Sequence, residues 1–212
     1  MRIDWIAGYG RRMKALGHLA EEDCRILWKE GKRCYATKAG VNLAALTEGD
    51  IEDLTDWEIT EKEVLMGLRG AEAMIVARPK YCLECIARRK PITASLDDMA
   101  QIIGYRAEIA RYEEKPMAAA LKRAAGVLVR ASRRRDAQGN SEMPACAVTV
   151  GRDPYEAFVA MTVLEKAAEV SLKAEVLGGA KTMLRPLAAA ERLVYRTKYS
   201  KAERKFEDEK DQ

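Results

Sequence analysis

The chain has 212 residues, of which 33% are charged and 48% hydrophobic, and its net charge is +4 at pH 7. This balance is typical of a globular chain with a substantial core, and it excludes an intrinsically disordered protein. A net charge this small does not by itself indicate nucleic-acid binding. The single histidine, His18, excludes a polyhistidine metal site and any site that needs a second histidine.

The N-terminal part predicts a helix followed by a hairpin. Apolar residues recur at helical spacing over residues 4–18, and Asp4 is a candidate N-cap. Residues 24–28 and 33–37 then predict two short strands around a turn at Glu30-Gly31. That turn would place Leu27 opposite Cys34 and Cys24 opposite Thr37. The acidic, turn-rich segment 46–56 is expected to cover the sheet.

From residue 58 the pattern alternates between helix and strand. We predict a helix over 61–69, a buried strand over 73–77 and a helix from Pro79 to Arg89, because proline suits the first turn of a helix. A further helix should begin at Ser95 as N-cap, with Asp98 three residues later, and end near Gly104.

The C-terminal half predicts two strands and two helices. The strands, at 126–130 and 145–150, flank a basic loop. The clearest element is a long amphipathic helix over 153–177 that Gly178-Gly179 ends, and a second helix follows at 187–199. Residues 1–200 are interpreted as one α/β domain with a mixed or mainly antiparallel sheet, and residues 201–212 as a charged, flexible tail.

The cysteines do not form an obvious site. Their number is odd and their spacing irregular, and neither a secretory leader nor a membrane span is visible, so we expect free thiols in a reducing, cytoplasmic compartment without membrane contact. Cys82-x-x-Cys85 has the spacing of a zinc or redox pair, but it lacks a second pair and falls inside a predicted helix. Packing as small hydrophobic residues is favoured, and metal binding through Cys82, Cys85 and Cys146 stays as the alternative. The five positions are Cys24, Cys34, Cys82, Cys85 and Cys146.

A basic loop is the second candidate. Arg130 and the triplet Arg133-Arg134-Arg135 lie close together in sequence and could hold phosphate or RNA. No aromatic residues interleave with them, so a platform for base stacking is missing and a solvent-exposed hairpin loop is the simpler interpretation. The usual serine-hydrolase and nucleotide-binding motifs are absent.

Four segments, in order and spacing, resemble the class II aldolase/adducin family. Residues 36–54 resemble its Thr-Pro-Ser-Gly stretch, residues 73–81 its strand with a His-x-His end, residues 95–104 its middle helix, and residues 151–179 its long helix. The resemblance implies a three-layer α/β domain, with a mainly antiparallel sheet between helices, and a homo-oligomer, commonly a tetramer. Active members use zinc on three histidines to polarise a carbonyl, a glutamate to move protons, and loops to hold a phosphate.

The chain departs from this family where the chemistry takes place. Ala77 and Pro79 stand at the first two histidine positions, and the third falls at Ala145-Cys146 or at Ala131-Ser132. Carboxylates near Glu22-Asp23-Cys24 replace the family's phosphate loop, where they would repel a phosphate.

The resemblance nevertheless assigns a small set of site residues. Glu58 corresponds to the proton-transferring glutamate, with Glu61 or Glu63 as alternatives and an exposed carboxylate at a helix start as the simpler interpretation. Ala39 replaces the serine of the loop whose substrate-binding positions would be Thr37, Lys38 and Gly40.

Three functions follow from these observations. The first is a class II aldolase-like protein that has lost its zinc site, has no cofactor, and binds a small anionic ligand or acts through oligomeric interactions. The alternative is an enzyme, a lyase or isomerase, that acts on a sugar phosphate or small anion with a rebuilt site. The last is a nucleic-acid or anion binder that uses the Arg130–Arg135 loop.

Overall fold

Helices and strands alternate in the computed structural model, which describes residues 3–16, 24–136, 139–179 and 181–199. The helices are α1 (Ile3–Leu16), α2 (Thr60–Gly67), α3 (Lys80–Ala87), α4 (Glu114–Leu121), α5 (Pro154–Val176) and α6 (Arg185–Val194), with π-helical segments at Met99–Ile103 and Tyr195–Tyr199. Within these ranges, no helix combines the length and apolar character needed to cross a lipid bilayer.

A seven-stranded sheet forms the centre of the fold. The strands of the described chain are β1 (Arg25–Glu30), β2 (Arg33–Thr37), β3 (Ile51–Asp53), β4 (Ala73–Ala77), β5 (Ile92–Thr93), β6 (Arg106–Ala107), β7 (Ile109–Arg111), β8 (Gly126–Arg130), β9 (Ser132–Asp136), β10 (Gly139–Met143) and β11 (Cys146–Gly151). The central sheet has the order β3-β2-β1-β4-β11-β8-β7, while β5-β6 and β9-β10 form two small ribbons. Only the β7–β8 pair of this sheet is parallel.

Helices cover both faces of the sheet, as the predicted fold class requires. Alternate side chains of a strand point to opposite faces, so Ile75 of β4 packs with α1, α3 and α5 while Met74 packs with α2 and α4. Both clusters consist of apolar residues, and the buried polar residues of the described chain include Thr149 and Glu165. The predicted three-layer α/β architecture with a mainly antiparallel sheet is therefore confirmed.

The long helix α5 follows its sequence signals. Asp153 accepts a hydrogen bond from the backbone N–H of Glu156 at 2.8 Å, and Pro154 occupies the first turn. Gly178 and Gly179 both have φ near +96°, a conformation that ends the helix without steric cost. The predicted boundaries, 153–177, are confirmed within a residue.

The first hairpin has a different register from the predicted one. Glu30 pairs with Arg33, so Gly31 and Lys32 form the turn, and Leu27 lies opposite Ala36 instead of Cys34. Gly31 has φ +65°, and two-residue hairpin turns of type II′ require such a value at their first central position. Because the shift along the partner strand is two residues, the faces of both strands stay as predicted.

Three other predictions need correction. The segment 46–56 does not only cover the sheet, because its residues Ile51–Asp53 form the edge strand β3. Ser95 does not cap a helix, and its buried hydroxyl has no hydrogen-bond partner among the described residues. The basic loop is a paired hairpin, β9–β10. His18 and the predicted tail, 201–212, lie outside the described residues.

Candidate functional site

The residues that the resemblance assigns to a site come from strand ends that meet at one edge of the sheet, here called the upper edge. It consists of the C-terminal ends of β2, β4, β7 and β8 and the N-terminal ends of β1 and β11. The register places Arg25 beside Val76, Ala147 beside Ala77, and the end of β7 beside Arg130. The positions at the ends of β2 and β4 and at the start of β11 to which the resemblance assigns a role therefore share one side of the molecule.

The end of β4 offers no metal ligand. Ala77 is buried, Pro79 precedes the first turn of α3, and the Nε of Arg78 donates to the carbonyl oxygen of Ala145 at 3.3 Å. None of these side chains binds zinc. In the part of the chain that the structure describes, no three His, Cys, Asp or Glu side chains are grouped to hold a metal ion. The zinc ion that the resemblance implies therefore does not fit the residues at this edge.

The cysteines are placed for packing. Cys82 and Cys85 are fully buried on α3, in the core on one face of the sheet, whereas Cys146 is buried in the core on the other face. One metal ion cannot be shared across the sheet. Burial raises the pKa of Cys85 to about 11 and that of Cys146 to about 12. Since the thiolate is the form that binds metals and attacks electrophiles, both side chains stay protonated and inert near neutral pH.

A buried carboxylate anchors the connection from β4 to α3. Glu165 of α5 is 1% exposed, and its two oxygens accept hydrogen bonds from the backbone N–H groups of Tyr81 and Cys82 at 2.8 and 2.9 Å. These N–H groups belong to the first turn of α3, where the helix dipole favours a negative charge. Glu165 thus fixes the position of the loop that carries Ala77 and Pro79. In the sequence, its one signal is a charged residue within the apolar stripe of α5.

Glu58 opens into a cavity of about 620 Å³, here called the Glu58 cavity. The cavity lies where α2 and α4 begin, and its walls include Tyr112 and Ser132. The other lining residues are Ile59, Thr60, Glu63, Glu113 and Glu114. Four of these described lining residues are glutamates and none is Lys or Arg, so the cavity wall repels a phosphate and favours hydroxyl or cationic groups.

Thr37, Lys38 and Gly40 lie at the same edge but do not line the Glu58 cavity. The Thr37 hydroxyl accepts a hydrogen bond from the backbone N–H of Ile26 at 3.1 Å, inside the sheet. Lys38 is exposed, and its backbone N–H donates to the carbonyl of Asp50. Gly40 has φ +73°, which explains a glycine at this turn without any ligand.

Glu61 is buried, although a carboxylate at the start of a helix is expected to be exposed. It is 5% exposed, and it lies close enough to Cys146 for its charge to contribute to the raised pKa of that thiol. Glu63, two residues further along α2, is exposed as expected for a carboxylate at a helix start. The helix period explains the difference, because Glu61 is on the face of α2 that packs on the sheet.

The inserted hairpin projects from the upper edge between β8 and β11. Its strands β9 and β10 pair in antiparallel register, with Ser132 opposite Met143 at the base. Arg130, immediately before it, is exposed and forms no ion pair with a described residue. The side chains of Arg133, Arg134 and Arg135 lie outside the described part of the structure.

Comparison with known proteins identifies the fold. No protein-family model and no curated protein matches the sequence. Among solved structures, L-fuculose 1-phosphate aldolase matches with a TM-score of 0.72 at 15% identity, over 92% of this chain and 95% of the aldolase. The L-fuculose-1-phosphate aldolase from Thermus thermophilus matches with 0.65 at 19% identity, over 84% and 96%.

A third structure extends the comparison over nearly the whole chain. An aldolase II superfamily protein from Pseudomonas syringae matches with a TM-score of 0.60 at 11% identity, over 97% of this chain and 88% of its own. At these identities the likeness concerns architecture and not activity. The chain therefore has the class II aldolase/adducin-like fold that its sequence motifs predict.

Proposed function

We propose that this protein uses the class II aldolase-like fold to bind a small anionic ligand and does not catalyse zinc-dependent aldol cleavage. The observation that carries the proposal is the end of β4, where Ala77 and Pro79 occupy the positions that the resemblance assigns to two zinc-binding histidines. The third position falls at Ala145-Cys146 or Ala131-Ser132, and burial keeps the Cys146 thiol protonated with a pKa of about 12. A Lewis acid that would stabilise the oxyanion of an aldol cleavage has no ligand set here.

The Glu58 cavity supports a binding role. Its carboxylates and the hydroxyl group of Ser132 can exchange hydrogen bonds with a polyhydroxylated molecule. A phosphate would be held outside the glutamate-lined wall, where Arg130 ends strand β8 two residues before Ser132. The ligand that this arrangement fits is a sugar phosphate whose hydroxyl groups enter the cavity.

Metal analysis tests the zinc-independent part of the proposal. The protein is purified without a histidine tag, incubated with zinc, dialysed, and measured by elemental analysis. We expect far less than one zinc ion per chain, because no described group of side chains converges on a metal site. One tightly bound transition metal per chain would contradict the proposal.

Calorimetric titration tests the binding part, with L-fuculose 1-phosphate as the probe because solved relatives are aldolases of that compound. We expect binding that weakens roughly tenfold or more in Arg130→Gln, since a charge-assisted contact to phosphate is removed. Glu58→Gln should also alter the affinity. The control, Arg123→Gln, removes the same charge from an exposed position at the opposite end of the strands and should leave this affinity unchanged. Equal affinities in all four proteins would refute a site at the upper edge.

A second candidate function is an isomerase or lyase with a rebuilt site. The observation that favours it is that Glu58 and Tyr112 line the same cavity. A carboxylate there can remove the proton from a hydroxyl-bearing carbon next to a carbonyl and return it to the former carbonyl carbon, while a phenol passes the hydroxyl proton to the former carbonyl oxygen. Turnover of L-fuculose 1-phosphate, followed by NMR, should then be lost in Glu58→Gln and kept in Glu48→Gln, which changes an exposed glutamate outside the cavity. A wild-type protein without turnover would leave binding as the function.

We also propose a homo-oligomer in a reducing, cytoplasmic compartment. The exposed apolar side chains of the C-terminal region support self-association, with Leu184 73%, Leu187 51% and Leu193 65% exposed. The five cysteines are buried and none is joined in a disulfide, which supports a reducing environment. Light scattering should give the mass of a multimer, a tetramer by resemblance, and Leu187→Asp should lower it. A wild-type mass of one chain would exclude the oligomer.

A further inference from the structure

A second cavity, of about 420 Å³, lies at the opposite edge of the sheet from the predicted site. It is formed where β4 and β8 begin and β11 ends, beneath the first turns of α5 and the end of α6. Its volume falls within the range of small-molecule sites. Five cationic side chains line it and give it the name basic cavity: Arg69, Lys122, Arg152, Arg192 and Arg196.

The charges of the basic cavity are not balanced by its own carboxylates. Glu156 is the one acidic residue among its described lining residues. That carboxylate is already engaged by the Arg152 guanidinium, with Nε at 2.8 and 3.0 Å from its two oxygens. Arg69, Lys122 and Arg192 form no ion pair with any described residue. These three side chains therefore contribute positive charge to the cavity, and concave low-dielectric walls strengthen the field of such charges.

Arg192 is the most constrained of these cations. Its Nη1 donates to the backbone carbonyl oxygens of Ile102, at 3.3 Å, and Ile103. These contacts use one end of the guanidinium, whose fork has further donors. A methyl group at Gly104 would lie 2.7 Å from the same Nη1, so the glycine makes room for the arginine. Burial and the nearby Arg196 lower the pKa of Arg192 to about 10, so this guanidinium stays charged near neutral pH.

Apolar and aromatic residues also line the basic cavity. Leu121, Val150 and Val159 contribute apolar surface, and Tyr155 and Tyr195 contribute aromatic residues. A ligand can thus bury a hydrocarbon or planar part while its charged part faces the guanidinium groups. The combination of cationic, apolar and aromatic lining residues distinguishes this cavity from a basic surface that is simply exposed to solvent.

We propose that the basic cavity binds a small phosphorylated molecule, with its phosphate held between Arg69, Lys122 and Arg192. These three cationic residues line the same cavity from three separate segments of the chain, and arginine binds phosphate oxygens in pairs. This site is independent of the proposed function, because it lies at the other end of the strands from Glu58 and Arg130. A molecule bound there would also link the end of α2 to α6.

Calorimetric titration of the full chain with pyrophosphate at low ionic strength tests the proposal. We expect saturable binding to the wild type, and affinity reduced at least roughly tenfold in the double variant Arg69→Gln/Lys122→Gln. Both side chains are exposed and contribute little to the core, and a thermal melt checks that the variant is folded. Arg123→Gln is the matched control, since it removes an exposed charge from the residue next to Lys122 without touching the cavity.

The variants separate this site from the upper edge. Arg130→Gln should leave pyrophosphate affinity unchanged, whether sugar-phosphate binding at the upper edge fails or succeeds. Absence of pyrophosphate binding to the wild type would overturn the proposal. So would an equal loss of affinity in Arg123→Gln, because binding would then follow net charge, and so would a loss confined to Arg130→Gln.

Discussion

Replacing Glu165 by glutamine should destabilise the protein far more than its conservative chemistry suggests. The carboxylate is 1% exposed and accepts hydrogen bonds from the backbone N–H groups of Tyr81 and Cys82 at 2.8 and 2.9 Å. A glutamine keeps one oxygen for one of these donors and turns an NH₂ group toward the other. The buried N–H group left without a partner costs about 1–3 kcal/mol, and the weakened charge-assisted bond costs about 1 kcal/mol more.

Relief of the buried charge offsets part of this loss, so we expect a net decrease of about 2 kcal/mol in the free energy of unfolding. For a chain of this length, that corresponds to a fall in Tm of roughly 4–8 °C. Urea unfolding followed by circular dichroism measures the free energy, and calorimetry measures the Tm.

The matched control is Glu169→Gln, one turn further along α5. Glu169 pairs with Lys173 at the surface, at 2.5 Å, and such exposed pairs contribute about 0.5 kcal/mol. Equal, small effects of both substitutions would refute the reasoning, because Glu165 would then not be holding the start of α3.

Three further predictions concern the core and the predicted site. Thr37→Val should lower the free energy of unfolding by about 1–3 kcal/mol, since it leaves the backbone N–H of Ile26 without its partner. Thr37→Ser keeps the hydroxyl group and should keep the stability. Urea unfolding measures both variants, and a valine variant as stable as the wild type would contradict the observed hydrogen bond. Gly151→Ala should lower the free energy of unfolding by more than about 2 kcal/mol, because the new methyl group would lie 2.5 Å from a backbone nitrogen of α5. The methyl group of Gly67→Ala would meet nothing within 4 Å, so this control should be neutral or stabilising. Equal melting temperatures of the two variants would refute the close approach at Gly151. The folded-state pKa values of Cys85 and Cys146, about 11 and about 12, lie above the ordinary 9.0, so these thiols ionise first in the unfolded chain. The free energy of unfolding should therefore fall by about 1 kcal/mol per thiol between pH 9 and pH 10. The Cys→Ala variants should show a shallower decrease with pH, and an unchanged pH dependence in these variants would argue against the pKa shifts.

The elements with strong local signals were predictable from sequence. The strand at 73–77 is confirmed because a short apolar run between Gly70 and Pro79 has few alternatives. The helix α5 is confirmed because its cap, proline and terminal glycines agree with its apolar stripe. The architecture followed from the order of the motifs.

What depended on tertiary contacts was not predictable. Ser95 has the residue type of an N-cap, but the backbone of Ala94 is already held by hydrogen bonds that join Ala94 N to Tyr105 O and Met183 N to Ala94 O. These bonds fix the chain in an extended form, and the helical segment begins only at Asp97. Gly31 set the hairpin register through its φ value, which residue spacing alone did not reveal.

The candidate site was predicted in part. The absence of histidines at Ala77 and Pro79 could be read directly, and so could the position of Glu58 before a helix. The negative charge of the Glu58 cavity could not be read from the sequence, because Glu58, Glu63 and Glu113 line one cavity only after α2 and α4 have packed on the same face of the sheet. The cations of the basic cavity come from positions as distant as 69 and 196, so no spacing in the sequence indicates that they face one another.

The pairing of β4 with β11 at the centre of the sheet has a consequence for how the chain folds. Ala77 pairs with Ala147, so about 70 residues must be synthesised before the most apolar strand gains its second neighbour. Contacts this far apart slow folding, since loop closure costs entropy before the pairing stabilises anything. On the ribosome, the first four strands would form a half-sheet whose outer edge is the sequence AMIVA, a segment with every feature of an aggregation site. Expression of this protein should therefore depend strongly on chaperones that shield that edge, and truncation before β11 should yield insoluble material.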